Sequence, residues 1–145
     1  MLINVKTYIN KLEVTELLSY AVFPDDKSLK AAIELYEGND SLQLYGFEDE
    51  ELLVGLIGFE MDAGRVITIN HIAVLPENRL KGYGRGMLLE LLEAQKPTQM
   101  IAETDEEAVD FYRNIGFVVY SLGEIYPGVE RFRCVYDAEE VEEED

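Results

Sequence analysis

The chain has 145 residues, 48% of them apolar, which is the size of one domain. A chain this long buries roughly 68–70% of its extended surface on folding, so its core requires neither metal nor disulfides. Thirty acidic side chains against twelve basic ones give a formal net charge of −18. That field excludes non-specific nucleic-acid binding, because it repels phosphate backbones, and it favours cationic partners.

Residues 1–9 alternate weakly and predict an opening strand. Thr15 is placed to cap a helix carrying Leu17, Leu18, Ala21 and Val22 that ends before Pro24, and Ser28 precedes a second helix with Leu29, Ala32, Ile33 and Tyr36 at helical spacing. Gly38 is placed to stop it. Ser41–Glu48 alternates as a strand, Asp49–Glu51 resembles a turn, and Leu52–Met61 is apolar enough to be covered on both faces. After a turn at Asp62–Gly64, Arg65–Val74 is a β-branched strand, Leu75–Lys81 a loop and Gly84–Ala94 a helix with Met87, Leu88, Leu91 and Leu92 inward.

Gln99–Glu103 reads as a short strand. Asp105 or Thr104 caps a helix burying Ala108, Phe111, Tyr112 and Ile115 and stopping at Gly116; Phe117–Leu122 and Val129–Tyr136 close the chain as a strand pair. The order β-α-α-β-β-β-α-β-α-β-β predicts one α/β domain over residues 1–136. The remainder, 137–145, reads DAEEVEEED: seven acids in nine residues, a pattern expected to be a solvated, disordered tail. Without those seven the rest still carries −11.

The single cysteine, Cys134, excludes an internal disulfide and fits a reducing compartment; in the alternating segment RFRCVY it reads as a packed strand residue. The start MLINVKTYIN has no apolar signal core, and the longest apolar or glycine stretch, Leu52–Phe59, is too short to span a bilayer. The expectation is a soluble, cytoplasmic protein with no membrane partner. One histidine and one cysteine without ligand spacing give no support to a metal site, and the absence of GxSxG gives none to a Ser-His-Asp mechanism.

The most informative segment is Asn70–Leu89, NHIAVLPENRLKGYGRGMLL. A buried strand ends at Val74, Pro76 breaks it, and Gly82, Gly84 and Gly86 open a helix. Glycines let the backbone approach a ligand closely, and the free amides and dipole of a helix start suit a phosphate. Arg79, Lys81 and Arg85 place three of the twelve basic residues within seven positions, a local reversal of charge that an anion would explain. Neither the P-loop pattern nor GxGxxG after a first strand is met.

The segment RLKGYGRGMLLELL resembles the acetyl-CoA loop of the GNAT superfamily of N-acetyltransferases, whose pattern [QR]xxGx[GA] is met by Arg79, Gly82 and Gly84. HIAVLPENR before it and AVDFYRNIGF after it are similar too, and the element order matches from about residue 1 to 136. The resemblance implies a mixed, mostly antiparallel sheet of about seven strands with about four helices, splayed between the strands ending near Val74 and Glu103 to admit acetyl-CoA. Backbone groups around Ile72 and Val74 would pair with the pantetheine arm, with the Ile72 amide directed at the thioester carbonyl. The amides of Arg79, Leu80, Lys81, Gly82, Tyr83, Gly84, Arg85 and Gly86 would cradle the pyrophosphate, assisted by the Arg79 and Lys81 side chains.

Acetyl transfer to an amine requires loss of a proton from the amine, stabilisation of the carbonyl oxygen and protonation of the leaving thiolate. The resemblance assigns the last role to Tyr112 of the FY pair. At Asp105 many relatives carry Asn, which contacts the cofactor; Asp caps the helix but donates no hydrogen bond, so the contact is not carried over. The strand position that holds a catalytic Glu in some relatives is Thr68 here, and neither it nor Asn70 can act as a base. His71, the only histidine, alternates to the opposite face and reads as packed or capping. Glu103 is the best acidic candidate, directly or through water, with Glu60 the weaker; an amine with the ordinary lysine pKa of about 10.4 needs such a base near neutral pH.

These readings converge on an N-acetyltransferase that moves the acetyl group of acetyl-CoA directly to a primary amine on a small molecule or peptide. The acidic balance leans toward a cationic acceptor, and a homodimer is compatible with the pattern. A CoA-binding regulatory module without catalysis and an interaction protein acting through its acidic tail are the alternatives.

Overall fold

Alternation does most of the work in the sheet. In the computed structural model, which describes residues 1–138, Leu42 and Leu44 of strand β2 (Leu42–Asp49) point inward, and β3 (Leu52–Met61) is buried without a break from Val54 to Phe59. The two form an antiparallel hairpin, with a register shift between Phe47 and Glu48 and left-handed backbone at Glu50 and Glu51 in the turn. The remaining elements are β1 (Leu2–Asn4), α1 (Leu12–Ser19), α2 (Asp26–Glu37), β4 (Val66–Val74), α3 (Tyr83–Gln95), β5 (Gln99–Asp105), α4 (Val109–Ile115), β6 (Val118–Tyr126) and β7 (Val129–Asp137). Short 3₁₀ turns occupy Lys6–Tyr8 and Pro76–Asn78.

The element order is the expected one, and the strands lie in a seven-stranded sheet in the order β1-β2-β3-β4-β5-β7-β6. The chain divides into two compact units, one of residues 1–60 and 70–96, the other of residues 61–69 and the chain from Pro97 onward.

In the first unit, β1 pairs antiparallel with β2, and α1 and α2 cover the hairpin. Val14, Leu17 and Leu18 of α1 and Ala32 and Tyr36 of α2 pack with Leu42, Leu44 and Leu56 as one apolar cluster. Met87, Leu88 and Leu91 of α3 are also buried. In the second unit, β4 and β5 pair in parallel from Val66–Ile69 against Gln99–Ala102, β5 pairs antiparallel with β7 over its whole length, and β6 completes the edge. Ile67, Ile69, Met100, Ala102, Val109, Tyr112, Phe117 and Cys134 are among its buried residues. Cys134 is fully buried on β7, and burial pushes its thiol pKa up, so it is a packing residue.

Several boundaries differ from the sequence reading, each for a local reason. The opening strand is only three residues, because the chain turns through Lys6–Tyr8. Lys11, not Thr15, caps α1; Thr15 lies inside the helix and its hydroxyl donates back to the Leu12 carbonyl at 3.1 Å. Ser28 lies inside α2 rather than before it; Asp25 caps the helix, its carboxylate accepting from the Ser28 amide at 2.7 Å. Asp105 belongs to β5; its carboxylate does accept from the Glu107 and Ala108 amides, but a turn intervenes and α4 starts at Val109. On α4 only Val109 and Tyr112 are buried, while Ala108, Phe111 and Ile115 are half-buried. Strand β6 runs on past Leu122 to Tyr126 through Gly123, whose φ of 83° accompanies a register shift.

Of the acidic terminal segment, Asp137 still pairs with Gln99 and the Ala138 amide donates to the Thr98 carbonyl at 2.9 Å. The rest of the expected tail, residues 139–145, lies outside the described residues. Among the described residues no helix is long and apolar enough to cross a membrane.

Candidate functional site

Strand β4 leads into the glycine-rich loop. Leu75 is tied to the hairpin by its amide on the Val54 carbonyl at 2.9 Å, and the Asn78 amide closes a turn onto the Leu75 carbonyl at 2.9 Å. Leu80 has φ of 64° and its side chain is fully exposed. Gly82 has φ of 85°, the left-handed conformation that favours glycine, and an added Cβ there would meet no atom within 4 Å. Helix α3 starts at the next residue, and the amide of Gly86 returns to the Gly82 carbonyl at 2.9 Å.

No side chain caps the start of α3, and its first turn carries no acid. The first amides of the helix are therefore donors without intrahelical partners, at the positive end of the dipole. Lys81 and Arg85 are exposed beside them. A Cβ added to Gly86 would sit 3.8 Å from the Phe47 ring, an ordinary contact, so that glycine is not there for want of space. This donor set, cationic and uncapped in a strongly acidic chain, fits a pyrophosphate.

Two loop side chains have other partners. Arg79 folds back, its Nε donating to the Val74 carbonyl at 3.1 Å while its guanidinium lies 5.7 Å from the centre of the Tyr20 ring. Tyr83 packs on Phe47 at 5.9 Å between ring centres and donates its hydroxyl to the Asp49 carboxylate, which raises the pKa of the phenol. Tyr83 thus fastens the start of α3 to β2. The half-buried Asn78 leaves its Oδ1 buried without a hydrogen-bond partner.

Along β4, Thr68 and Asn70 are exposed, while His71 is half-buried on the other face, as the alternation predicts. His71 Nδ1 lies 2.6 Å from the Tyr36 hydroxyl. Tyr36 is fully buried, and burial raises its pKa well above the ordinary value, so the phenol is the donor and the imidazole the acceptor. The proton of neutral His71 therefore resides on Nε2. Burial pushes the His71 pKa down. Nothing in the local sequence signals this pair, whose members are 35 positions apart. Ile72 and Val74 are half-buried, and Val74 already has the Arg79 donor on its carbonyl.

In the second unit Tyr112 is 4% exposed, set edge-on against Phe111 and Phe117 with ring centres 5.0 and 5.2 Å away. Burial, and secondly the neighbouring Cys134, push its pKa up, so the phenol is a proton donor throughout the physiological range. Glu103 is exposed on β5 and faces Arg133 of β7 at 3.9 Å. Glu60 is half-buried on β3, opposite Leu42.

A separate cavity of about 420 Å³ in the first unit is bordered by Glu13, Glu16, Glu48 and Glu51 with Lys11 and Leu75 among its lining; no residue of Arg79–Gly86 contributes to it. Among the described residues no group of three or more His, Cys, Asp or Glu side chains is arranged to hold a metal ion.

Residues 40–119 match the acetyltransferase (GNAT) domain. The chain is 31% identical over 111 residues to an uncharacterized N-acetyltransferase in the lysA 3′ region of Bacillus methanolicus, covering 74% of this chain and 90% of that one. Among solved structures, a GNAT-family protein from Desulfovibrio desulfuricans superposes with a TM-score of 0.78 at 17% identity, over 95% of this chain and 98% of the other. An acetyltransferase from Bacillus subtilis solved with CoA superposes with a TM-score of 0.67 at 20% identity, over 88% and 93%. The chain belongs to the GNAT family of acetyltransferases.

Proposed function

We propose that this acetyltransferase moves the acetyl group of acetyl-CoA directly to a primary amine, and that the cosubstrate is held at Arg79–Gly86. The observation that carries the reading is the start of α3: an uncapped helix with no acid in its first turn, preceded by a left-handed Gly82 and flanked by Lys81 and Arg85. A pyrophosphate there receives the amides and the dipole together, as an anion at a helix N-terminus does. The CoA carried by the B. subtilis neighbour supports the same choice of cosubstrate. The Ile72 and Val74 backbone is assigned to the pantetheine arm, with the Ile72 amide at the thioester oxygen.

In the proposed reaction the amine nitrogen attacks the thioester carbonyl, the C–N bond forms and the C–S bond breaks. Glu103 takes the amine proton, directly or through water, and Tyr112 gives its phenolic proton to the departing thiolate. Tyr112 is available for the second role because its raised pKa keeps the phenol protonated at neutral pH, so it has a proton to give when the C–S bond breaks. The preferred acceptor is a cationic amine, in keeping with the net charge of −18. An amine-panel screen for CoA release, with the acetylated product detected by mass, tests the reading. Release of CoA with formation of an N-acetyl product supports it, and binding of acetyl-CoA without turnover on any amine would make the chain a regulatory module instead.

A further inference from the structure

The glycine-rich loop is held in shape by a residue outside it. Leu80 adopts a left-handed conformation that is unfavourable for a non-glycine residue, yet its side chain is fully exposed and packs on nothing. Something else must fix the reversal between the end of β4 and the start of α3. The backbone supplies only the Asn78 bond to Leu75 and a longer one, 3.4 Å, from Arg79 to Pro76. Tyr83 fastens the helix end of the loop to β2, and at the strand end the Arg79 side chain reaches across the turn, its Nε donating to the Val74 carbonyl. The guanidinium carbon in turn lies 5.7 Å from the centre of the ring of Tyr20, the residue that ends α1. An arginine stacked on an aromatic face loses fewer orientations and keeps its fork in plane.

We propose that Tyr20 is a positioning residue for acetyl-CoA binding: it holds Arg79, and Arg79 holds the turn that presents the Leu80–Arg85 amides, the Gly86 amide being engaged by the Gly82 carbonyl. The proposal rests on the assignment of acetyl-CoA to this loop. It gives Arg79 a role distinct from a direct charge on the pyrophosphate, and it links the end of α1 energetically to the cosubstrate. Tyr20 lies 59 positions from Arg79 and outside the glycine motif, so the motif itself assigns it nothing.

The test is a double-mutant cycle on the acetyl-CoA dissociation constant, measured by calorimetry with Tyr20→Leu, Arg79→Lys, the double variant and Tyr20→Phe. Tyr20→Leu is expected to weaken binding roughly three- to ten-fold. Arg79→Lys keeps the charge but loses the Nε donor and is expected to weaken binding to a similar extent. The double variant should lose no more than the larger single loss, and Tyr20→Phe, which keeps the ring, should retain wild-type affinity. Tyr20 is exposed at 43%, so the melting temperatures should stay close to wild type, which separates positioning from loss of fold; if Tyr20→Leu proves unstable, Tyr20→Gln serves in its place. Wild-type affinity in the Tyr20 variant, or losses that multiply in the double variant, would overturn the proposal. Failure of the wild-type chain to bind acetyl-CoA would instead overturn the loop assignment beneath it.

Discussion

The Tyr36 hydroxyl lies 2.6 Å from Nδ1 of His71, joining α2 to β4 and leaving the imidazole proton on Nε2. Because this is the only histidine in the chain, its titration can be read without assignment. Burial holds the His71 pKa below the ordinary 6.5, so between that lowered value and about 6.5 the unfolded chain binds more protons than the native one. Stability should therefore rise with pH across that window, and the His71 contribution should be lost as pH falls through it. Imidazole NMR should show the Nε2–H tautomer with a midpoint below 6.5. An Nδ1–H tautomer would contradict the assigned donor and acceptor.

Gly58 makes room for this pair. A Cβ at that position would fall 1.8 Å from the Tyr36 hydroxyl and 2.6 Å from its ring carbon Cζ, and Tyr36 is fully buried. Gly58→Ala should cost about 1–3 kcal/mol, as overpacking does, measured by denaturant unfolding. The cost should shrink when Tyr36→Leu removes the opposing atoms.

Tyr112→Phe keeps the edge-on contacts with Phe111 and Phe117 and removes only the hydroxyl. If Tyr112 protonates the thiolate, turnover should fall by roughly 10²–10⁴ while the melting temperature changes little. Full turnover would return Tyr112 to the role of a packing residue.

Glu103→Gln removes the proposed base and also its ion pair with Arg133. The reading predicts a fall in kcat/KM of roughly 10²–10⁴. An exposed pair at 3.9 Å contributes little to stability, so the variant should remain folded and the kinetic loss should be interpretable. Wild-type kinetics would move the base to another residue or to water.

Much of the fold could be read from the sequence, because burial on one or both faces writes itself into alternation. The hairpin of β2 and β3, the strand β4 and the helix after Gly82 are all visible in this way. Caps were less legible where two polar residues competed. Asp25 and Ser28 stand three apart, and the carboxylate wins by accepting the serine's own amide. Gly123 resembles a strand breaker, but β6 absorbs it in an irregular register and continues. The glycine-rich loop and its basic residues were legible because glycines and local charge are sequence-local signals. The orientation of Arg79 toward Tyr20 and the bond between Tyr36 and His71 did not, because both depend on tertiary placement of residues far apart in the chain.

The central claim is that acetyl-CoA binds at the glycine-rich start of α3. Calorimetric titration of acetyl-CoA into the wild-type chain and into Gly84→Glu tests it most directly. In the proposed binding mode a glutamate there would place a side chain between the backbone and the pyrophosphate and set a negative charge at the helix start. The account predicts one-to-one binding to wild type and none to the variant; equal affinity in both, or no binding to wild type, would contradict it.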